Sequence, residues 1–155
     1  MTINLIMLIY QDKKIISHRG NLHGPNPAHE NNPNYILNAI KFGFEVEVDI
    51  WYENDQLFLG HDSATYKINH EFLNHSMWVH CKNLKAVELM RKTDLNWFWH
   101  DLDKMTLTNK NFVWCYSGVY IKDGITVECG HPFHIKEDIM GICTDYPINW
   151  KKFKE

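Results

Sequence analysis

No Cys-x-x-Cys pair occurs in this 155-residue chain, and no cluster of lysine and arginine appears beyond the short tail "KKFKE". The first absence argues against a zinc knuckle or a dithiol redox motif. The second argues against nucleic acid as a partner, because a phosphate backbone needs a positive face and the formal net charge here is −3. Long apolar runs are also missing. The N-terminal "INLIMLIY" is too short for a membrane span and lacks the positive flank and small residues of a cleaved leader, so it reads as a first strand or a plug under the core. No internal repeat, low-complexity tract or linker is visible. Cys81, Cys115, Cys129 and Cys143 each lie in an apolar segment and read as reduced core residues of a cytoplasmic protein.

What is present is a globular composition. Hydrophobic residues make up 45% and charged residues 23%, which places the chain far from disorder. A chain of this length forms one domain, taken as residues 1–155, and buries roughly two thirds of the surface exposed when unfolded. Ten histidines stand out, several beside Asp or Arg, a pairing that orients an imidazole.

Eight short apolar runs read as strands: 14–20, 44–50, 56–62, 77–83, 96–103, 112–118, 125–129 and 141–147. Most are near-continuously apolar and end in polar clusters or glycine, the pattern of parallel strands buried on both faces. Helical periodicity is clear only over 32–43, capped by Asn32 or Asn34 and stopped by Gly43, and over 84–92. This pattern predicts an α/β fold, an abbreviated TIM-like (β/α)8 barrel. Its helices are shortened or missing in the second half, because 103–111, 117–124 and 130–140 leave little room for crossovers. A barrel with uncovered faces would gain from pairing into a homo-oligomer.

The charged residues fall at the ends of these runs. "SHRG" offers His18 and Arg19, and arginine's planar fork suits two phosphate oxygens. Glu47 and Asp49 are two residues apart on one strand, so both carboxylates face one side, where a divalent cation would relieve their repulsion. His61, followed by Asp62, closes the next run, and His18 with His61 makes a candidate acid and base.

In this order, His18-Arg19-Gly20, Glu30-Asn31, Glu47-x-Asp49 and His61-Asp62 resemble the glycerophosphodiester phosphodiesterase family, with its H-R-G, P-E-N-T, E-x-D and H-D motifs. The "GICTDYP" segment is similar to its closing T-D-x-P strand. The resemblance covers 14–62 and 141–147. It implies cleavage of a small phosphodiester, such as a glycerophosphodiester, with His18 and His61 as acid and base. Arg19 would bind phosphate, Glu47 and Asp49 would hold a divalent metal, Mg²⁺ or Ca²⁺ first, and Glu30 would support the rim. Where the family's fourth strand reads E-x-K, this chain has His80 and Lys82. His80 as a ligand would move the preference towards Mn²⁺ or Zn²⁺, and Lys82 would face the substrate; His100, in "FWHDLD" at the end of the fifth run, is a further candidate beside the phosphate. Glu128 and Asp145 are further strand-end acids. His29 replaces the loop proline, and the family's inserted segment after the third strand is nearly absent. Two other readings stand: a phosphate- or metal-binding module without turnover, and a lyase that forms a cyclic phosphate. No stable membrane insertion is expected.

Overall fold

A computed structural model describes residues 12–135 and 138–154; the expectation for "INLIMLIY" lies outside the described residues. In chain order the elements are β1 (Lys14–His18), α1 (Pro33–Lys41), β2 (Glu45–Glu53), β3 (Gln56–Leu59), β4 (Tyr66–Ile68), a 3-10 turn (His70–Phe72), β5 (Met77–Cys81) and α2 (Leu84–Met90). They continue with β6 (Asn96–Phe98), β7 (Met105–Leu107), β8 (Val113–Cys115), β9 (Gly124–Val127), β10 (Gly141–Thr144) and α3 (Pro147–Lys154).

All ten strands belong to one sheet. Its parallel part runs β6-β5-β2-β1-β10-β9-β8, with β7 antiparallel on β8 and the β3–β4 pair antiparallel on the far half of β2. β5 and β8 are far apart along that order, yet the Trp78 and Trp114 rings lie 5.6 Å apart and those of Phe98 and Trp114 stack at 4.6 Å. The sheet therefore curls, with this face inside. Ile16, Trp78, Phe98, Trp114, Ile125 and Cys143 fill the lower part of the hollow.

The convex face carries a second core. Val46, Val48, Ile50 and Val79 on the strands pack with Ile36 and Ala39 of α1 and Ala86 and Met90 of α2. Each helix starts where an asparagine can cap it. Asn32 Oδ1 accepts from the Asn34 N–H with Pro33 at the first position, and Asn83 Oδ1 accepts from the Ala86 N–H. Asn83 also exchanges hydrogen bonds with the Tyr52 backbone, tying α2 to β2. On the other side, Trp150 of α3 packs with Ile135, Ile139 and Ile142.

The expected (β/α)8 barrel is not the architecture. The chain forms a curled, mixed, ten-stranded half-barrel with three short helices among the described residues. Two local causes are visible. The run 56–62, expected as a third parallel strand, follows β2 after only Asn54 and Asp55, which both adopt left-handed backbone (φ 50° and 57°). Two such residues form the tight turn of a hairpin, so β3 folds back antiparallel on β2. Past β6, the chain turns back after three residues of β7 through left-handed Asn111 (φ 65°), so a β-hairpin fills the connection that is too short for a crossover helix. No ladder among the described residues joins β6 to β8. Asn109 spans that seam instead: its N–H donates to the Trp97 carbonyl, its Oδ1 accepts from the Trp97 N–H, and its Nδ2 donates to the Leu95 carbonyl.

Candidate active site and metal centre

Strand alternation sends Glu47 and Asp49 of β2, His80 of β5 and His18 of β1 into the upper hollow. In register, His18 lies beside Glu47 and Asp49 beside His80. A cavity of about 480 Å³ opens there, bordered by His18, Arg19, Glu47, His61, His80, Lys82 and His100 on its polar side. Trp99, Trp114, Tyr116 and Val127 border the apolar side. This size suits a small organic ligand.

The turn after β1 is built for its place. Arg19 is left-handed (φ 54°), its N–H donating to the Glu47 carbonyl and its own carbonyl accepting from the Asn31 N–H. Gly20 follows at φ 89°, where a Cβ would stand 3.0 Å from the Tyr35 ring and 3.1 Å from the Ile36 nitrogen. Only glycine lets the chain pass this close to α1. Gly60, before His61, is tighter still: a Cβ there would lie 2.0 Å from the Ser63 carbonyl oxygen.

Asp49 is the best compensated acid of the site. Arg19 Nε lies 3.2 Å from its Oδ2, Lys82 Nζ 3.6 Å from its Oδ1, and Asn31 both donates to Oδ2 and accepts from the Asp49 N–H. His80 Nδ1 is 3.0 Å from Oδ1 but is not aligned as a hydrogen bond, so that oxygen is buried without one. Burial would raise the Asp49 carboxyl. The attraction of His80, Arg19 and Lys82 outweighs it and holds the group well below the usual carboxylate range.

Glu47 is the opposite case. Burial, and then the charge of Asp49, push its carboxyl up. The imidazoles beside it stand off, His80 Nδ1 at 3.8 Å and His18 Nε2 at 3.9 Å, and its Oε2 is buried with no hydrogen bond among the described residues. His80 Nε2 is a third such atom. Ligand atoms of Glu47, Asp49 and His80 lie within 4.8 Å of one another. Two carboxylates with buried oxygens that find no hydrogen bond, and His80 Nδ1 facing both, fit a divalent cation of intermediate hardness.

His18 is oriented from behind. Its Nδ1–H donates to Asp145 Oδ1 at 2.7 Å, and Asn21 Nδ2 holds the same oxygen at 2.8 Å. Burial opposes a charge on His18, but Asp145, Cys129 and Glu47 together hold its pKa at about 10. Glu30 accepts from Arg19 Nη1 and Asn21 Nδ2, so it fixes the arginine and the asparagine. His100 stacks on His80 at 4.6 Å, and burial, then the charges of His80 and Lys82, lower its pKa to about 4. His61 reaches the cavity from the loop after β3, half-exposed, its Nδ1 paired with Asp62; burial lowers its pKa.

The cavity therefore gathers His18, Arg19, Glu47, His61, His80, Lys82 and His100 around one hollow, with Asp49 and Glu30 beneath. Glu128 is not among them: it accepts from the Tyr120 hydroxyl and the Gly118 N–H in the β8–β9 loop. Sequence reasoning missed Asn21, an amide directly after H-R-G, and quoted Asn31 in the Glu30-Asn31 motif without giving it a role. It also placed Cys129 in the core, whereas the thiol borders the cavity 3.7 Å from His18 Nδ1. No protein-family model, no curated protein and no solved structure matches this chain.

Proposed function

We propose that this chain is a metal-dependent phosphodiesterase acting on a glycerophosphodiester or a similar small phosphodiester. One observation carries the reading: His18, Arg19, Glu47, His61 and Lys82, at motif positions that resemble the glycerophosphodiester phosphodiesterases, border one cavity beside the buried acidic pair. Glu47, Asp49 and His80 would hold the cation. When bound, it would neutralise charge developing on the phosphoryl oxygens.

The chain's own groups divide the remaining work. Arg19, fixed by Glu30, and Lys82 supply positive charge to the phosphate side. His61, kept neutral by its lowered pKa, takes the proton of the attacking hydroxyl, whether of water or of a neighbouring substrate alcohol. His18, held by Asp145, presents Nε2 towards Glu47 and gives a proton to the leaving alkoxide. Trp99, Tyr116 and Val127 form the wall for the organic part of the substrate. With all four cysteines free, a reducing cytoplasmic setting fits this chemistry. No helix among the described residues is long and apolar enough to cross a membrane.

The test is hydrolysis of bis(p-nitrophenyl) phosphate and glycerophosphocholine across Mg²⁺, Ca²⁺, Mn²⁺ and Zn²⁺. We expect turnover that needs a metal and falls about 10²- to 10⁴-fold in His18→Ala and in His61→Ala. Full activity in either folded mutant would sink the mechanism. Metal binding without turnover on any phosphodiester would instead favour a binding module, and a cyclic product in the ³¹P spectrum would make the protein a lyase.

A further inference from the structure

Behind His18, away from the Glu47–Asp49–His80 group, lies a second cluster of different chemistry. His18 Nδ1, Cys129 Sγ and an Asp145 carboxylate oxygen lie within 4.8 Å of one another. We propose that these three residues form a separate, sulfur-containing site for a thiophilic divalent cation such as Zn²⁺ or Cd²⁺, and that filling it shuts down His18.

The distances support a shared cation. A zinc with nitrogen at about 2.0 Å and sulfur at about 2.3 Å, at a tetrahedral angle, sets those atoms about 3.5 Å apart. Here Nδ1 and Sγ are 3.7 Å apart. Asp145 Oδ1 is closer, 2.7 Å from Nδ1, so its carboxylate turns slightly to admit the ion. Asn21, already donating to that oxygen, is the outer partner that steadies an acidic ligand. His18 and Cys129 both border the cavity, so an ion has a route in and a free coordination position facing it.

Cys129 is the only cysteine suited to this. Cys81, Cys115 and Cys143 are buried, the Cys81 thiol is pushed up to about 12 by burial, and the Cys143 thiol is raised well above its usual range. The sulfur also separates this cluster from the neighbouring Glu47–Asp49–His80 group, because thiolate selects soft cations, whereas two carboxylates with one imidazole select harder ones.

Binding exchanges two protons, from the Cys129 thiol and from His18 Nδ1, for the cation. The ring that results is neutral, with its one proton on Nε2 and its other nitrogen occupied. It cannot complete a cycle of giving and regaining a proton. The inhibitory consequence rests on the phosphodiesterase reading, whereas the binding itself does not.

The experiment is a Cd²⁺ titration of the full chain, read by the ultraviolet sulfur-to-cadmium charge-transfer absorbance, with circular dichroism as a folding control. We expect one thiolate-bound Cd²⁺ per chain, loss of the band in Cys129→Ser, and at least a tenfold weaker titration in Asp145→Asn. Glu47→Gln is expected to keep the band. In parallel, Zn²⁺ added over saturating Mg²⁺ should inhibit turnover of bis(p-nitrophenyl) phosphate, and at least tenfold more Zn²⁺ should be needed in Cys129→Ser. No band in the folded wild type, a band that survives Cys129→Ser, or one that disappears in folded Glu47→Gln would overturn the separate site. A chain that shows the band and no turnover would keep the site and refute the enzyme.

Discussion

β2 and β5 are backed by α1 and α2, whereas the chain from β6 to β10 forms no helix among the described residues. The first region buries Ile36, Ala39, Ala86 and Met90 against the convex side of the sheet. The second leaves Leu102 90% and Leu107 63% exposed and holds its place through Asn109 and the rings of Trp78, Phe98 and Trp114. The acidic pair sits on the helix-backed side, while the aromatic wall of the cavity comes from the other. Rigid, doubly packed strands carry the charges whose placement must be fixed. The loosely backed region supplies a wall, where position matters less.

The largest effect should come from removing the ring that joins the two regions. Trp114→Ala deletes the partner of both Trp78 and Phe98 and should cost about 3–5 kcal/mol, read as a shift in urea midpoint. Ile36→Ala, in the helix-backed core, should cost about 2–5 kcal/mol. The two differ in what else moves. Phe98 also stacks on His80 at 4.9 Å, so Trp114→Ala should loosen this proposed ligand and weaken Mn²⁺ binding, while Ile36→Ala should leave it alone. Equal losses of metal affinity in both would dissolve the distinction between the regions.

Next in size is Asn109→Ala. Its side chain makes two hydrogen bonds across the β6 edge, and their loss leaves the Trp97 N–H and the Leu95 carbonyl unpaired, a cost of about 1–3 kcal/mol. Amide exchange is the sharper readout. Protection should drop at Trp97 and along β7 and β8 and hold in β1, β2 and β5. A uniform drop would mean that the sheet opens as one unit.

The sequence made the two regions unequally legible. β1, β2, β5 and both crossover helices could be read because apolar runs, asparagine caps and Gly43 agree there. In the second half the runs at 96–103, 112–118, 125–129 and 141–147 do contain parallel strands, but their pairing across the seam depends on one asparagine side chain, which no periodicity signals. The hairpin at Asn54-Asp55 was visible in principle, since two adjacent turn formers between apolar runs favour it. It was overridden by the expectation of parallel strands. The charged site was legible because residue alternation fixes Glu47 and Asp49 on one face whatever closes the sheet. Asp145 was visible as a strand-end acid in "GICTDYP", but its contact with His18, like that of Cys129, spans more than 100 residues, about which local patterning says nothing.

The smallest effect should also be the most telling, because its sign is opposite to the others. Glu47 is a buried carboxylate pushed up by burial and by Asp49, with an oxygen that finds no hydrogen bond. In the metal-free protein, Glu47→Gln removes a repelling charge while keeping the side-chain shape. Stability should then rise by about 1 kcal/mol, or roughly 2–4 °C in Tm for a chain this long. Turnover should be lost at the same time. Adding Mn²⁺ should raise the Tm of the wild type and do little for the variant, since only the wild type keeps the full ligand set. Helix-backed strands would thus hold a group that weakens the empty fold and serves only when a cation joins it. If Glu47→Gln lowers Tm in the absence of metal, the carboxylate is a structural partner of its histidines, and the case for a metal at this position fails.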